Sequence, residues 1–277
     1  MKAINPPANP TVALVQMNCA LEEKTANVGR AVEFLEQSSG RADIVCFPEL
    51  LTTGYNLDLI GDDFCDLAES IPGPTTEQMG QKAREYGLAI LGTIVEADEK
   101  KEGTLYDATF LLNKKGELVG KYRKSHLHPT EHRYLQAGDR LPVFDLDGLI
   151  VGVTICFDHA FPQIFTILAL QGAEVVFIPS AVPVGYEYLL NLRTRARAQD
   201  NQIFTVAVNR VGRDGDVTYC GLSQVVNPRG EVIAQASHAE EEVLVAELDL
   251  SLTPREREQE PVLRNLRPEL YHRLTNS

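Results

Sequence analysis

The fold of this chain is decided by the stretch Leu149-Ile150-Val151-Gly152-Val153-Thr154-Ile155-Cys156. This apolar and β-branched run follows Gly148, and such a run is typical of a buried strand. Residues 161–171 then carry the pattern of a helix with Pro162 in its first turn, where proline is tolerated. Cys156 is therefore predicted to lie where a strand passes into a helix. The positive end of the helix dipole favours a reactive thiolate there, although a cysteine is more often a small buried apolar residue.

Strands and helices alternate along the rest of the chain. Apolar runs predict strands at residues 12–17, 43–47, 88–95, 105–112, 174–178, 203–209, 221–226 and 243–250. Helical spacing or capping predicts helices at residues 24–37, 75–86 and 186–201. Near-continuous apolar strands that alternate with helices indicate sheets covered by helices. The strands at 88–95 and 105–112 lie too close for a crossover helix, so we expect mixed sheets.

Length and composition predict one globular α/β domain over residues 1–277. The chain is 44% hydrophobic and 23% charged, as expected for a protein with a sizeable core. We expect the core at about 11–250. The segment at about 251–277 is rich in Arg, Glu and Pro and resembles an extended C-terminal arm.

Composition also excludes several classes of protein. No run of about 18 apolar residues is present, and the first seven residues lack the apolar core of a signal peptide. The five cysteines form no CxxC pair, which favours a reducing cytoplasm over a disulfide or zinc framework. The net charge of −13 argues against nucleic acid or an anionic membrane as a partner.

Two charged residues lie at strand ends, as Cys156 does. Glu49 follows the strand at 43–47, and Lys124 lies beyond the strand at 105–112. Ligands of open α/β sheets bind at the carboxyl ends of strands, and a thiol, a carboxylate and an ammonium supply a nucleophile, a base and an oxyanion partner. Each residue also has an ordinary structural interpretation, Glu49 as a helix-cap partner and Lys124 as part of a solvated basic stretch.

Three short motifs surround these residues: Phe47-Pro48-Glu49-Leu50, Tyr122-Arg123-Lys124-Ser125-His126-Leu127, and Ile155-Cys156-Phe157-Asp158. In this order they resemble the three signature motifs of the nitrilase (carbon–nitrogen hydrolase) superfamily. The resemblance extends over roughly residues 11–271. It implies a single domain with a four-layer αββα sandwich of mixed sheets, and homodimers or higher homo-oligomers.

The resemblance also implies a Glu–Lys–Cys triad without a metal or an organic cofactor. Cys156 corresponds to the nucleophile, Glu49 to the general base and Lys124 to the oxyanion-stabilising cation. The backbone N–H of Phe157 would complete the oxyanion hole, and Glu131 corresponds to a second glutamate that helps to position the lysine and the substrate. The implied reaction cleaves a non-peptide C–N bond of a small amide, giving an acid and ammonia through a thioester.

Departures from the family pattern narrow the branch. The nitrile-cleaving branch usually has Trp-Glu after the cysteine, whereas this chain has Phe157-Asp158, as amidase branches do. The carbamoyl-amino-acid branch tends to have arginines there, but His159-Ala160 stand in their place. An Asn often found at position 107 is Asp107. We therefore expect an amidase, with an N-carbamoyl amine amidohydrolase and then a nitrilase as alternatives.

A zinc hydrolase is a remote alternative from another class. His128-Pro129-Thr130-Glu131-His132 has the H-x-x-E-H spacing of some zinc enzymes. That chemistry needs both histidines on one continuous helix, and Pro129 disfavours helical backbone at His128.

The substrate pocket is the least determined part of the site. Tyr55, His159, Glu187 and Tyr188 are candidate substrate-binding residues because each flanks a motif or a strand end. Glu187, Asp107 and the acidic stretch 58–66 favour an amide with a positive charge. The same acids are equally consistent with ordinary solvated surface.

Overall fold

The computed structural model of the chain describes residues 9–274. Its fourteen strands are β1 Thr11–Gln16, β2 Ile44–Cys46, β3 Ala89–Ala97, β4 Leu105–Leu112, β5 Leu118–Arg123, β6 Val143–Leu146, β7 Leu149–Val153, β8 Val175–Ser180, β9 Phe204–Asn209, β10 Arg213–Asp214, β11 Val217–Thr218, β12 Gln224–Val226, β13 Val232–Gln235 and β14 Glu242–Glu247. Its seven α-helices are α1 Lys24–Ser38, α2 Leu57–Ile60, α3 Phe64–Leu67, α4 Pro74–Tyr86, α5 Pro162–Leu170, α6 Glu187–Asn201 and α7 Leu252–Gln259. The two ends of the predicted 1–277 domain, residues 1–8 and 275–277, lie outside the described residues.

Two six-stranded sheets contain most of the strands. The first has the order β14-β1-β2-β3-β4-β5, and the second has the order β13-β12-β9-β8-β7-β6. Strands β1, β2 and β3 are parallel, as are β7, β8 and β9, and antiparallel strands complete both sheets. The prediction of mixed sheets is therefore confirmed.

Alternate residues of each strand point to opposite faces, which divides the core into layers. In β1, Val12 and Leu14 belong to a cluster that joins the two sheets, and this cluster includes Phe177 of β8. Ala13 and Val15 instead pack in a cluster with α1 and α4. The outer face of the second sheet packs against α5 and α6 in the same way. The layers are therefore helices, sheet, sheet and helices, and the predicted αββα sandwich is confirmed.

The C-terminal segment is more regular than its composition predicts. Residues 252–259 form α7 instead of extended backbone, with Pro254 near its start, where proline is compatible with a helix. Thr253 is buried and Leu263 packs against the cluster around α5, whereas Leu270 is 58% exposed.

Across residues 9–274 the helices are all too short or too polar to traverse a lipid bilayer.

Candidate active site

The carboxyl ends of strands from both sheets meet at one edge of the sandwich. Glu49 lies three residues beyond β2, and Lys124 directly follows β5. Because β3–β4 and β4–β5 are both antiparallel, β5 runs in the same direction as β2, so the two residues emerge at the same edge. A bridge between Asn18 and Val211 joins the corresponding edges of the two sheets, and Cys156 follows β7 of the second sheet.

The ammonium of Lys124 is fully buried among three buried carboxyl groups. Lys124 Nζ donates to Glu49 Oε1 at 2.6 Å and to Glu131 Oε1 at 2.5 Å, and it lies 3.5 Å from Asp107 Oδ2. Burial opposes the charged form, but Glu49 and Glu131 outweigh it and raise the pKa of Lys124 well above its usual value. The three carboxyl groups have oxygens within 4.8 Å of one another, a spacing that suits a metal ion, and the ammonium is the cation that they share here.

Asp107 is the least satisfied member of this cluster. Neither of its carboxyl oxygens has a hydrogen-bond partner among the described residues. Burial raises the pKa of Asp107 well above its usual value, and the Lys124 charge offsets this in part. Three ionised carboxylates around one ammonium would leave a net charge of −2 in a dry site, so we expect Asp107 to keep a proton.

Glu131 connects the lysine to the cavity wall. It begins the 3₁₀ turn Glu131–Arg133, and its Oε1 also accepts a hydrogen bond from the Tyr55 hydroxyl at 2.5 Å. Its Oε2 accepts from the backbone N–H of His128 at 2.8 Å. With these bonds Glu131 fixes both Lys124 and Tyr55.

Positive-φ backbone shapes the turns that carry Glu49 and Cys156. Leu50 has φ 48° and Cys156 has φ 41°, a region that non-glycine residues seldom adopt. Gly54 has φ 75° in the turn after Glu49, and a Cβ there would lie 2.9 Å from the carbonyl oxygen of Cys19.

The environment of Cys156 differs from the prediction. Cys156 starts the 3₁₀ turn Cys156–Ala160, and α5 begins only at Pro162. Burial and then the negative charge of Glu49 raise the pKa of the Cys156 thiol well above its usual value, while Lys124 and the N–H of Ala181 offset only part. The sequence predicts that a helix end favours a thiolate at Cys156. In the structure burial outweighs such effects, and the Lys124 charge lowers the pKa of the thiol only in part.

Asp158 ties the turn of the cysteine to the segment of the lysine. Its buried carboxylate accepts from the backbone N–H of Ile155 at 2.9 Å and from the Tyr122 hydroxyl at 2.7 Å. It also accepts from the N–H of His126 at 2.8 Å and the hydroxyl of Ser125 at 3.0 Å. Sequence reasoning assigned this residue no role, because three of its four partners lie more than 30 residues away.

A cavity of about 410 Å³ opens above these groups. Cys156, Phe157, Tyr55 and His159 line it, whereas Glu49 and Lys124 have no exposed surface and lie behind that wall. Sequence reasoning missed further lining residues, several of them at the start of α6: Asn56, Ala181, Tyr186, Leu189, Arg193 and Tyr219.

Glu187 and Tyr188 do not line this cavity. They line a second, more open depression along α6, where Glu187 contacts His238 at 3.3 Å and Tyr188 is 62% exposed. The helical phase explains the difference. Leu189 and Arg193 are four residues apart and share the face of α6 that lines the cavity, whereas Glu187 and Tyr188 lie on other faces of the helix.

The zinc-hydrolase alternative lacks its helix. His132 lies in the three-residue turn Glu131–Arg133, and His128 lies outside it. Both histidines are exposed, while the glutamate between them is buried against Lys124. This donor set therefore does not converge on one point.

Comparisons with known proteins identify relatives over nearly the whole chain. The carbon–nitrogen hydrolase family model matches residues 11–257. A Pyrococcus abyssi protein named nitrilase is 36% identical, with 95% of this chain and 99% of that protein covered. The 2-oxoglutaramate amidase of Bacillus subtilis is 32% identical, with 94% and 99% covered. The crystal structure of Saccharomyces cerevisiae Nit3, from branch 10 of the nitrilase superfamily, matches with a TM-score of 0.84 at 29% identity, with 93% and 97% covered.

Proposed function

Since this chain belongs to the carbon–nitrogen hydrolase family of the nitrilase superfamily and is an enzyme of the amidase type, we propose that it hydrolyses a small linear amide through a cysteine thioester. The observation that carries this proposal is the Lys124 ammonium held between Glu49 and Glu131 behind the cavity that contains Cys156. This arrangement supplies a base and a cation next to a thiol.

In the first half of the reaction the thiol attacks the amide carbon. We assign a neutral thiol to the resting Cys156, in keeping with its raised pKa, and an ionised carboxylate to Glu49, which the Lys124 charge favours. As the S–C bond forms, the thiol proton moves to Glu49. Glu49 then gives that proton to the amide nitrogen, the C–N bond breaks, and ammonia leaves the thioester.

Lys124 has one N–H donor left for the oxyanion. An ammonium has three donors, and two of them go to Glu49 and Glu131. We assign the third to the carbonyl oxygen as it becomes negative, together with the backbone N–H of Phe157. Donors fixed in place in a dry site stabilise such a charge more than mobile water does.

Water completes the cycle. Glu49 takes a proton from water, the hydroxide adds to the thioester carbon, and the C–S bond breaks to release the acid. The proton returns to the sulfur, so the site regains its resting state.

Two other substrate classes fit the same chemistry. An N-carbamoyl amine would also form an acylated cysteine. Nitriles are the second alternative, because the P. abyssi relative is named nitrilase. The primary amide ranks first because Phe157-Asp158 follow the nucleophile and no arginine pair does.

We also propose that the chain assembles into a homodimer or a higher homo-oligomer. Helices α5 and α6 pack against each other, and they expose large apolar side chains: Ile167, Leu170, Tyr188 and Leu192. Such a surface is more apolar than an isolated chain needs, and a second copy would cover it.

Ammonia release tests the proposed function. Wild type and Cys156→Ser are compared on primary amides, N-carbamoyl amines and nitriles, with Cys65→Ser as the matched control because Cys65 is exposed and lies away from the cavity. We expect turnover of primary amides by wild type and Cys65→Ser, and none by Cys156→Ser. The proposal is contradicted if wild type releases no ammonia from any of the three substrate classes, or if Cys156→Ser is as active as wild type.

A further inference from the structure

One face of α6 forms part of the wall of the cavity that contains Cys156. Leu189 and Arg193 are four residues apart on α6, so they lie on the same side of the helix. Tyr186 directly precedes the helix, and all three residues line the cavity. Arg193 thus places a long cationic side chain on a wall that is otherwise aromatic and aliphatic at this point.

The Arg193 guanidinium has no hydrogen-bond or ion-pair partner among residues 9–274. Arg197, one turn further along, is engaged: its Nε donates to the carbonyl oxygen of His159 at 3.2 Å and its Nη2 to that of Ala160 at 3.4 Å. The carboxylate near this pair, Asp200, contacts Arg197 at 3.6 Å. The positive charge of Arg193 is therefore uncompensated.

His159 adds a second unsatisfied polar group to the same wall. Its side chain is buried, and its Nδ1 has no hydrogen-bond partner in the described part of the chain. Burial, followed by the charges of Arg193 and Arg197, lowers the pKa of His159 to about 3, so the imidazole is neutral at physiological pH. A neutral imidazole leaves the positive charge of Arg193 uncompensated.

The acidic residues do not provide a matching site for a cation. Asp58 is the acid among the lining residues, and its side chain is exposed. Asp107 is buried behind the wall beside Lys124, and Glu187 lies outside the cavity against His238. The positively charged substrate considered from the sequence therefore has no buried carboxylate to meet on the wall of the cavity.

We propose that Arg193, with His159 beside it, forms a carboxylate-binding subsite, so that the preferred substrate is a small linear amide with a carboxylate at its far end. This inference rests on the proposed amidase function. A guanidinium can hold a carboxylate through two parallel N–H···O bonds, and a partly enclosed site strengthens them. The contact is far from the reacting carbon, so it acts equally on the bound substrate and the transition state and changes KM more than kcat.

Three amides of the same length test the sign of the charge. Succinamate ends in a carboxylate, butyramide in a methyl group and β-alaninamide in an ammonium. We expect wild type to prefer succinamate over butyramide by about 10-fold or more in kcat/KM, and β-alaninamide to be the poorest. Arg193→Gln is expected to lower kcat/KM for succinamate by about 10-fold or more, mainly through KM, and to change butyramide little.

Arg195→Gln is the matched control. Arg195 lies on the same helix, but it donates to the carbonyl oxygen of Gly230 and lines the other depression, so its loss is expected to leave the succinamate preference unchanged. Calorimetric titration of Cys156→Ala with succinamate and butyramide gives a readout that does not depend on turnover. The subsite is refuted, and the amidase function left intact, if wild type turns over amides without preferring succinamate. The same holds if Cys156→Ala binds succinamate equally well with and without the additional Arg193→Gln substitution. Absence of turnover with selective succinamate binding refutes the function instead.

Discussion

At the scale of single residues, the site is a problem of charge balance. The Lys124 ammonium faces Glu49, Glu131 and Asp107, and Asp107 makes the longest contact of the three, at 3.5 Å. A protonated Asp107 leaves one ammonium and two carboxylates. Glu49 can then act as a base while Glu131 holds Lys124 in place.

The proton on Asp107 has a measurable effect on stability. Burial raises the pKa of Asp107 above its ordinary value of about 3.9, so the folded protein holds a proton that the unfolded chain releases. This contribution destabilises the fold increasingly as the pH rises from about 4 towards the raised pKa. We expect Asp107→Asn to raise the free energy of unfolding at about pH 8 but not at about pH 4, measured by urea titration. Identical pH slopes for the two proteins would contradict a protonated Asp107.

Glu49 sets the acid side of the rate profile. Burial raises the pKa of Glu49, against the opposing effect of Lys124. The base must be ionised to accept the thiol proton, so we expect kcat/KM to fall as the pH is lowered, with a midpoint above the ordinary glutamate value of about 4.3. Glu49→Gln is expected to lose about 10²-fold or more in kcat. A midpoint at or below 4.3 would assign the base to another group.

The sequence predicts the triad better than its surroundings. Glu49, Lys124 and Cys156 each lie in a contiguous motif, and the structure brings the first two into direct contact. From the sequence alone, Asp107 is one of the acids that favour a positively charged substrate. Its place beside Lys124 depends on the pairing of β4 with β5, where the N–H of Lys124 donates to the carbonyl oxygen of Asp107 at 2.9 Å. That register is a tertiary property, and the apolar pattern of β4 does not encode it.

At the scale of elements, the turn after β7 decides where the nucleophile points. The sequence predicts a strand that ends near Cys156 and a helix from residue 161, and a 3₁₀ turn over Cys156–Ala160 fills the interval between them. Asp158 holds this turn through the Tyr122 hydroxyl and groups of the neighbouring loop. Such long-range bonds leave no trace in local spacing, which explains why the turn was missed.

Loss of the Asp158 carboxylate is expected to loosen both catalytic loops. In Asp158→Asn an amide group faces donors that previously met an oxygen, and buried donors without partners are costly. We expect a loss of about 2 kcal/mol in the free energy of unfolding and at least a tenfold fall in kcat. Asp139→Asn, on an exposed side chain, serves as the control and should stay within about 0.5 kcal/mol of wild type. Wild-type activity and stability in Asp158→Asn would rule out this positioning role.

At the scale of the whole molecule, the alternation of strands and helices predicts a layered fold. It does not predict which strands pair within a sheet or in what order the layers stack. Apolar runs predict most strands of both sheets, yet the pairing of β1 with β14 joins residues more than 220 positions apart. The four-layer arrangement therefore came from the resemblance of three motifs and not from periodicity. Local propensity also missed α7, where composition alone was interpreted as extended chain.

The exposed apolar residues of α5 and α6 lead to a test of assembly. Leu192 is 64% exposed on the outer side of α6. We expect wild type to sediment as a dimer or a larger species and Leu192→Asp to shift towards monomer, because a buried unpaired charge opposes association. Glu258→Gln on α7, which alters charge elsewhere, is the control. If wild type sediments as a monomer at micromolar concentration, the proposal that a second copy covers this apolar surface is contradicted.

The covalent intermediate is the most direct test of the central claim. Wild type is mixed with an excess of a primary amide that it turns over, quenched in acid within the first turnovers, and digested for mass spectrometry. We predict that the peptide containing Cys156 gains the mass of the acyl group, that the peptide containing the exposed Cys65 does not, and that Cys156→Ala shows no adduct. Turnover of the amide with no acyl mass on Cys156, or an adduct on another residue, would contradict the thioester mechanism.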